Sequence, residues 1–364
     1  MTHKAFLHVG PPKTGTTYLQ SLLHQNRQLL RGRGLLVVRR SKQQYEAASE
    51  ITQRKPARAS KMPAGVWPAL VKDVMHFDGD AVLSHERYSL ASTEQNERIR
   101  DDLDGRELHV VFTLRDLTGV VSADWQESVK NGSADTWQQF CKSVTAEDGK
   151  LLRKRTRALR SLRAWSKVLP PEQIHVVTVP PSGAPRELLW ERFCTVLGVD
   201  HDGTSTEQPR GNQSMGQVEV ELIRRINELP ESVLSVHDRR PELKHFLAEE
   251  ILNRRDGKTR VSIDKETFDA ARRESQTIAN QIEKLGLDVV GDLDDLTSAP
   301  YKDAGPDAND VPDGALVDAA VDAIAALARR SATRGRKVAK LEAAAREVEQ
   351  QGSLIQKVAR KAKS

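Results

Sequence analysis

Apolar positions gather at the start of the chain into a short run, Ala5 to Val9, which stops at Gly10 in a stretch rich in Gly, Pro, Lys and Thr. From Thr16 the pattern turns amphipathic, so the order reads strand, loop, helix. Further apolar runs of strand length occupy residues 80–84, 107–114 and 173–179. Longer helical patterns lie between them, notably Thr118 to Val129 and the basic stretch 149–168, where Leu152, Leu159, Leu162 and Trp165 keep near-helical spacing. Strands alternating with helices predict an α/β chain with three layers, a parallel sheet flanked by helices on both faces. Residues 39–64 are polar with few apolar anchors and read as a lid or binding segment. A Pro/Asp/Gly/Ala stretch at 297–314 reads as a flexible linker, and the Ala-rich residues 315–364 as a helical or partly disordered tail. In that tail Val338, Leu341, Ala345, Val348 and Ile355 fall near a 3–4 spacing. That is less than a sustained coiled coil needs, yet enough for docking or self-association. The boundaries that follow are 1–296 for the main domain, 297–314 and 315–364.

The first loop carries the most chemistry. Backbone N–H groups at a helix start point outward with partial positive charge, so a strand-loop-helix of this kind cradles a phosphate or sulfate. Gly10 and Gly15 have the separation of a nucleotide-binding G-x-x-x-x-G-K-[ST] loop, but Thr16 stands where the Lys belongs and Lys13 sits inside the loop. A lysine placed that early serves a group close to the 5′ end of a nucleotide. The second candidate anion site is Arg115-Asp116, at the end of the run 107–114. A guanidinium there can grip phosphate oxygens in a bidentate way, and the same pair could also be a helix cap. A third cluster, His85-Glu86-Arg87, follows the run 80–84, at the strand end where open α/β sheets bind ligands.

Pro12-Lys13-Thr14-Gly15-Thr16-Thr17 resembles, residue by residue, the 5′-phosphosulfate loop of the sulfotransferases that use 3′-phosphoadenosine 5′-phosphosulfate (PAPS). The likeness spans roughly residues 4–296 and is nearest to bacterial members of that family. It implies the P-loop NTPase-like sulfotransferase fold and transfer of a sulfuryl group from PAPS to a hydroxyl of a carbohydrate, glycolipid or small metabolite. It also implies that Arg115 and Ser122 hold the 3′-phosphate and that Lys13 stands at the leaving oxygen. Glu86 or His85 would be the general base, with Ser84-His85-Glu86 resembling the glycan-type and bacterial branch. In Pro209-Arg210-Gly211-Asn212-Gln213-Ser214, the resemblance makes Arg210 a late basic contact for the cofactor. No metal is called for. A nucleotide-dependent kinase and a non-catalytic nucleotide-binding scaffold stay open as alternatives, since strand-loop-helix anion sites are shared among functions.

Composition narrows the field. The 364 residues include 56 basic and 51 acidic side chains, a net charge of +5 that suits an anionic ligand without making a polybasic surface. Aromatic residues are only 4%, too few for an extended single-strand stacking platform, so no nucleic-acid partner is expected. Cys141 and Cys194 lack C-x-x-C spacing and read as buried thiols, and no Cys/His metal cluster stands out. No apolar run approaches the ~20 residues of a membrane helix. The expectation is a cytoplasmic protein.

Overall fold

The computed structural model describes residues 2–55, 61–207, 215–235, 239–302 and 308–361. Six strands form one sheet: β1 (Lys4–Gly10), β2 (Leu35–Val37), β3 (Asp80–Ser84), β4 (Glu107–Leu114), β5 (Ile174–Thr178) and β6 (Asp288–Val290). Their order is β2-β3-β1-β4-β5-β6 and every pairing is parallel, so the α/β expectation holds. The connecting helices are α1 (Thr16–Gln25), α2 (Arg27–Gly32), α3 (Ser41–Ile51), α4 (Val66–His76) and α5 (Thr93–Asp102). After β4 come α6 (Thr118–Lys130), α7 (Trp137–Thr145) and α8 (Lys150–Trp165), and after β5 come α9 (Leu188–Leu197) and α10 (Gln217–Asn227). Two further helices run over Lys265–Leu285 and Asp313–Lys361.

Strands β1, β3, β4 and β5 lie where the apolar runs predict them. They are buried almost throughout, as parallel strands covered on both faces must be. The edge strands β2 and β6 have three residues each and were not foreseen. Within residues 39–64, expected to be polar with few apolar anchors, α3 buries Gln44, Ala47, Ala48 and Ile51. Its small side chains pack closely against α4 without the large apolar residues that announce a helix. Side-chain caps start several of the helices. Ser92 accepts from the Gln95 amide at α5, Thr136 from Gln139 at α7, and Asp264 from Thr267 at Lys265–Leu285.

The chain divides into two compact units. The first comprises residues 1–127, 135–211 and 261–307 and holds the sheet. Its core joins Phe6, Leu22, Val82, Val111, Trp190 and Phe193. The second comprises 128–134, 212–260 and 308–364, and α10, the helical segment Arg239–Ile251 and the C-terminal helix pack within it. Its buried Glu221 carboxylate accepts from Arg224 at 2.7 Å, Arg225 at 2.9 Å and Asn309 at 2.8 Å. Burial pushes that carboxyl up, but these bonds outweigh it and hold it below the ordinary range. Inside the stretch 297–314, the Tyr301 ring lies 5.3 Å from that of Phe268, and Ala308 and Val311 are buried. Both Cys141 and Cys194 are free and buried, and burial pushes the Cys194 thiol up to about 12. Among the described residues, no helix is long and apolar enough to cross a membrane.

Candidate functional site

The strand order reverses at β1, which has β3 on one side and β4 on the other. Ligands of open α/β sheets bind at such a reversal, beyond the carboxyl ends of the strands. The loop after β1, the turn after β3 and the turn after β4 all leave the sheet at those ends.

The loop is shaped by backbone that L residues rarely adopt. Gly10 has φ 76° and Lys13 has φ 72°, the latter a conformation that costs a non-glycine residue energy and concentrates at functional sites. A Cβ on Gly10 would stand 3.1 Å from the Glu86 Cβ and 3.1 Å from the Thr16 Cγ2, so Glu86 packs directly against the start of the loop. Helix α1 begins at Gly15, which supplies no side-chain cap. Its first amides therefore face outward for an anion to meet. Thr16 is buried at this turn and Thr17 is exposed. Lys13 Nζ sits 3.3 Å from Glu127 Oε2 on α6.

Beneath the loop runs a chain of hydrogen bonds through buried groups. The Thr14 hydroxyl donates to the Pro11 carbonyl at 2.6 Å, which leaves its oxygen to accept from Thr113 at 2.8 Å. Thr113 in turn accepts from His8 Nε2 at 3.2 Å, and His8 Nδ1 accepts from Ser84 at 2.7 Å. That direction of donation requires a neutral His8. Burial first, and then His85, lower its pKa to about 3, in agreement. The chain ties β3, β1 and β4 to the loop.

At the end of β4, Arg115 stays exposed while neighbouring protein partly desolvates it. That desolvation lowers its pKa, and Asp116 works in the opposite direction. Its guanidinium lies over the first turn of α6, where a Cβ on Gly119 would come within 3.2 Å of Nη2. Ser122 is half-buried one turn further along that helix face. Asp116 points back into the protein, accepting from the Thr118 amide at 2.8 Å and hydroxyl at 2.6 Å. Desolvation by burial raises its pKa, and those bonds oppose the rise. Pro12, Thr14, Arg115, Lys154, Arg157 and Ser275 line one cavity, walled on its apolar side by Val120, Ile278 and Leu296.

At the end of β3, His85 is buried and its Nδ1 accepts from the Arg87 amide at 3.0 Å. Burial lowers its pKa, Glu86 raises it and Arg87 lowers it further, so the net direction favours the neutral ring. A neutral ring accepting at Nδ1 carries its proton on Nε2, and its one basic nitrogen is engaged by the Arg87 amide. Glu86 is half-buried, with Gln20 Nε2 3.5 Å from its Oε2.

The structure thus brings Pro12, Thr14 and Arg115 to one cavity, with Ser122 on the helix face beneath Arg115. Lys13, Gly15, Thr16 and Thr17 build the adjoining loop, and Glu86 flanks Gly10. Arg210 lies outside the described residues. His8, Thr113, Gln20, Glu127, Lys154 and Arg157 are additions that motif reading missed. The one signal for His8 was a polar side chain inside an apolar strand run. Among the described residues, Asp200, His201 and Asp202 gather metal-ligating donor types, but at an exposed turn that shares no lining residue with the cavity. Compared with known proteins, the chain matches no family model, no curated protein and no solved structure.

Proposed function

We propose that the chain is a sulfotransferase of the PAPS-dependent kind, built on the P-loop NTPase-like sulfotransferase fold, acting on a hydroxyl of a carbohydrate, glycolipid or small metabolite. The observation that carries this reading is the meeting of two features at the sheet's reversal. An uncapped strand-loop-helix places its lysine early, and the exposed Arg115 shares a cavity with Pro12 and Thr14. PAPS has two separated anionic ends, and these two sites suit them. When bound, the donor supplies the sulfuryl group and a phosphate oxygen as leaving group.

The roles of the residues follow from charge. Lys13 sets a cation where negative charge grows as the sulfur–oxygen bond breaks, which favours the transition state over the ground state. The first amides of α1 act in the same sense. Arg115 and Ser122 grip the 3′-phosphate and fix the register, a positioning effect. Glu86 takes the acceptor proton, since the neutral His85 already uses Nδ1 to accept from Arg87. Glu127 holds Lys13 in place of an anion, and a ligand must draw the lysine away from it.

Calorimetry with adenosine 3′,5′-bisphosphate tests the reading directly. The bisphosphate should bind wild-type protein, Arg115→Ala should weaken it at least tenfold, and ATP with Mg²⁺ should not displace it. Tight ATP–Mg²⁺ binding with none for the bisphosphate would give the site to a phosphotransferase instead.

A further inference from the structure

Helix α8 carries basic residues on several faces, and most of them find partners. Lys154 pairs with Asp124 at 2.9 Å, Arg155 with Glu274 at 2.7 Å, and Arg163 donates to Gln281 at 2.8 Å. Arg153 donates to the Asp148 carbonyl at 2.7 Å, and Lys150 lies 4.1 Å from the Phe140 ring centre. Arg157 and Arg160 are different: among the described residues, neither has a carboxylate within ion-pair reach. Both are exposed, and they crowd each other and Arg54, all three charges being of one sign.

The crowding has a definite place. Arg54 and Arg160 line one hollow together with Thr93 and Gln95, and Arg157 lines the cavity of Pro12 and Arg115. Arg87, next in the chain to Glu86, donates to the Arg54 carbonyl at 2.6 Å and stacks 5.1 Å from the Tyr45 ring centre. Among the described residues, its buried Nε has no acceptor. The turn Glu86–Leu90 packs against both α3 and α8, and Leu90 at its far end lines the hollow of Arg54 and Arg160. Glu94, the carboxylate on the rim of the hollow, is exposed and is held by Ser92 and its own backbone, with Lys167 as its cation.

Like charges held together without a counter-charge repel one another. A carboxylate, sulfate or phosphate relieves that repulsion, and guanidinium forks match all three. We propose that Arg54 and Arg160 form an acceptor subsite, with Arg87 bracing Arg54 through its carbonyl, and that the acceptor is an anion bearing its hydroxyl close to a carboxylate, sulfate or phosphate. This rests on the sulfotransferase reading and extends it to the substrate class.

The test divides a cell extract on an anion exchanger at neutral pH and incubates the retained and flow-through fractions with ³⁵S-labelled PAPS and wild-type protein. Label should enter molecules of the retained fraction. Prior phosphatase, sulfatase or carboxyl methylation of that fraction identifies which anion matters. The double variant Arg54→Ala with Arg160→Ala should raise the apparent KM for that fraction at least tenfold, with kcat within twofold. Its affinity for adenosine 3′,5′-bisphosphate and its Tm should match wild type. Label confined to the flow-through, or a double variant with wild-type KM, overturns the subsite while leaving the sulfotransferase reading in place. A double variant that loses bisphosphate affinity overturns it too, by assigning the cluster to the nucleotide. No label in either fraction, with no bisphosphate binding by wild type, overturns both.

Discussion

At the scale of single residues, Lys13 and Glu86 separate the two halves of the proposed chemistry. Lys13→Ala should lower turnover by about 10²-fold or more, the usual loss when a donor to developing negative charge is removed. Glu86→Gln should leave bisphosphate affinity intact and abolish transfer, and a dead His85→Ala variant beside an active Glu86→Gln would exchange the two roles. His8 gives a stability prediction. Its pKa is about 3 in the folded chain against 6.5 unfolded, so below pH 6.5 the unfolded state binds the extra proton. Stability is then complete above pH 6.5 and falls by about 1.4 kcal/mol for each pH unit of acidification until pH approaches 3. Denaturant titrations at pH 7 and pH 5 should show this loss in wild type and a smaller one in His8→Gln. Equal losses would remove His8 from the acid sensitivity. Lys13, Arg115 and Glu86 were legible in the sequence because each sits at the end of an apolar run. His8 was not, because its partners Ser84 and Thr113 are distant in the chain and meet it only through the pairing of β1 with β3 and β4.

Among the elements, the loop between β1 and α1 is the most constrained. Gly10→Ala puts a Cβ into left-handed backbone and within 3.1 Å of the Glu86 Cβ. It should cost about 1–2 kcal/mol from the backbone alone, and more if the turn after β3 must shift. Urea unfolding measures this, and an unchanged midpoint would mean that the loop relaxes freely. The interior strands β1, β3, β4 and β5 were readable as unbroken apolar runs because both of their faces are covered. β2 and β6, three residues each at the sheet edges, are too short to show a period. α3 was hidden for another reason: Ala47, Ala48 and Gln44 fill its buried face, and small or polar side chains give a weak hydrophobic signal. The basic face of α8 could be read as solvated from its composition, and most of it is paired. Only side-chain placement distinguishes Arg157 and Arg160 from the rest.

For the whole molecule, ligand and fold are linked. A compound that binds the native loop and not the unfolded chain adds about 2.7 kcal/mol at a hundred times its dissociation constant. Adenosine 3′,5′-bisphosphate should therefore raise the Tm of wild type by several degrees and that of Arg115→Ala by much less. A flat response in wild type would separate the loop from the nucleotide. The α/β class and the position of the site at the strand ends were legible from the order of apolar runs. The division into two units was not, because the second unit is assembled from three separated stretches of chain. Helix α1 starts without a cap of its own, so whatever anion settles there also completes the helix. On the proposed reading, abundance of that small molecule governs how long the polypeptide resists digestion, and when it is scarce a protease meets a looser target.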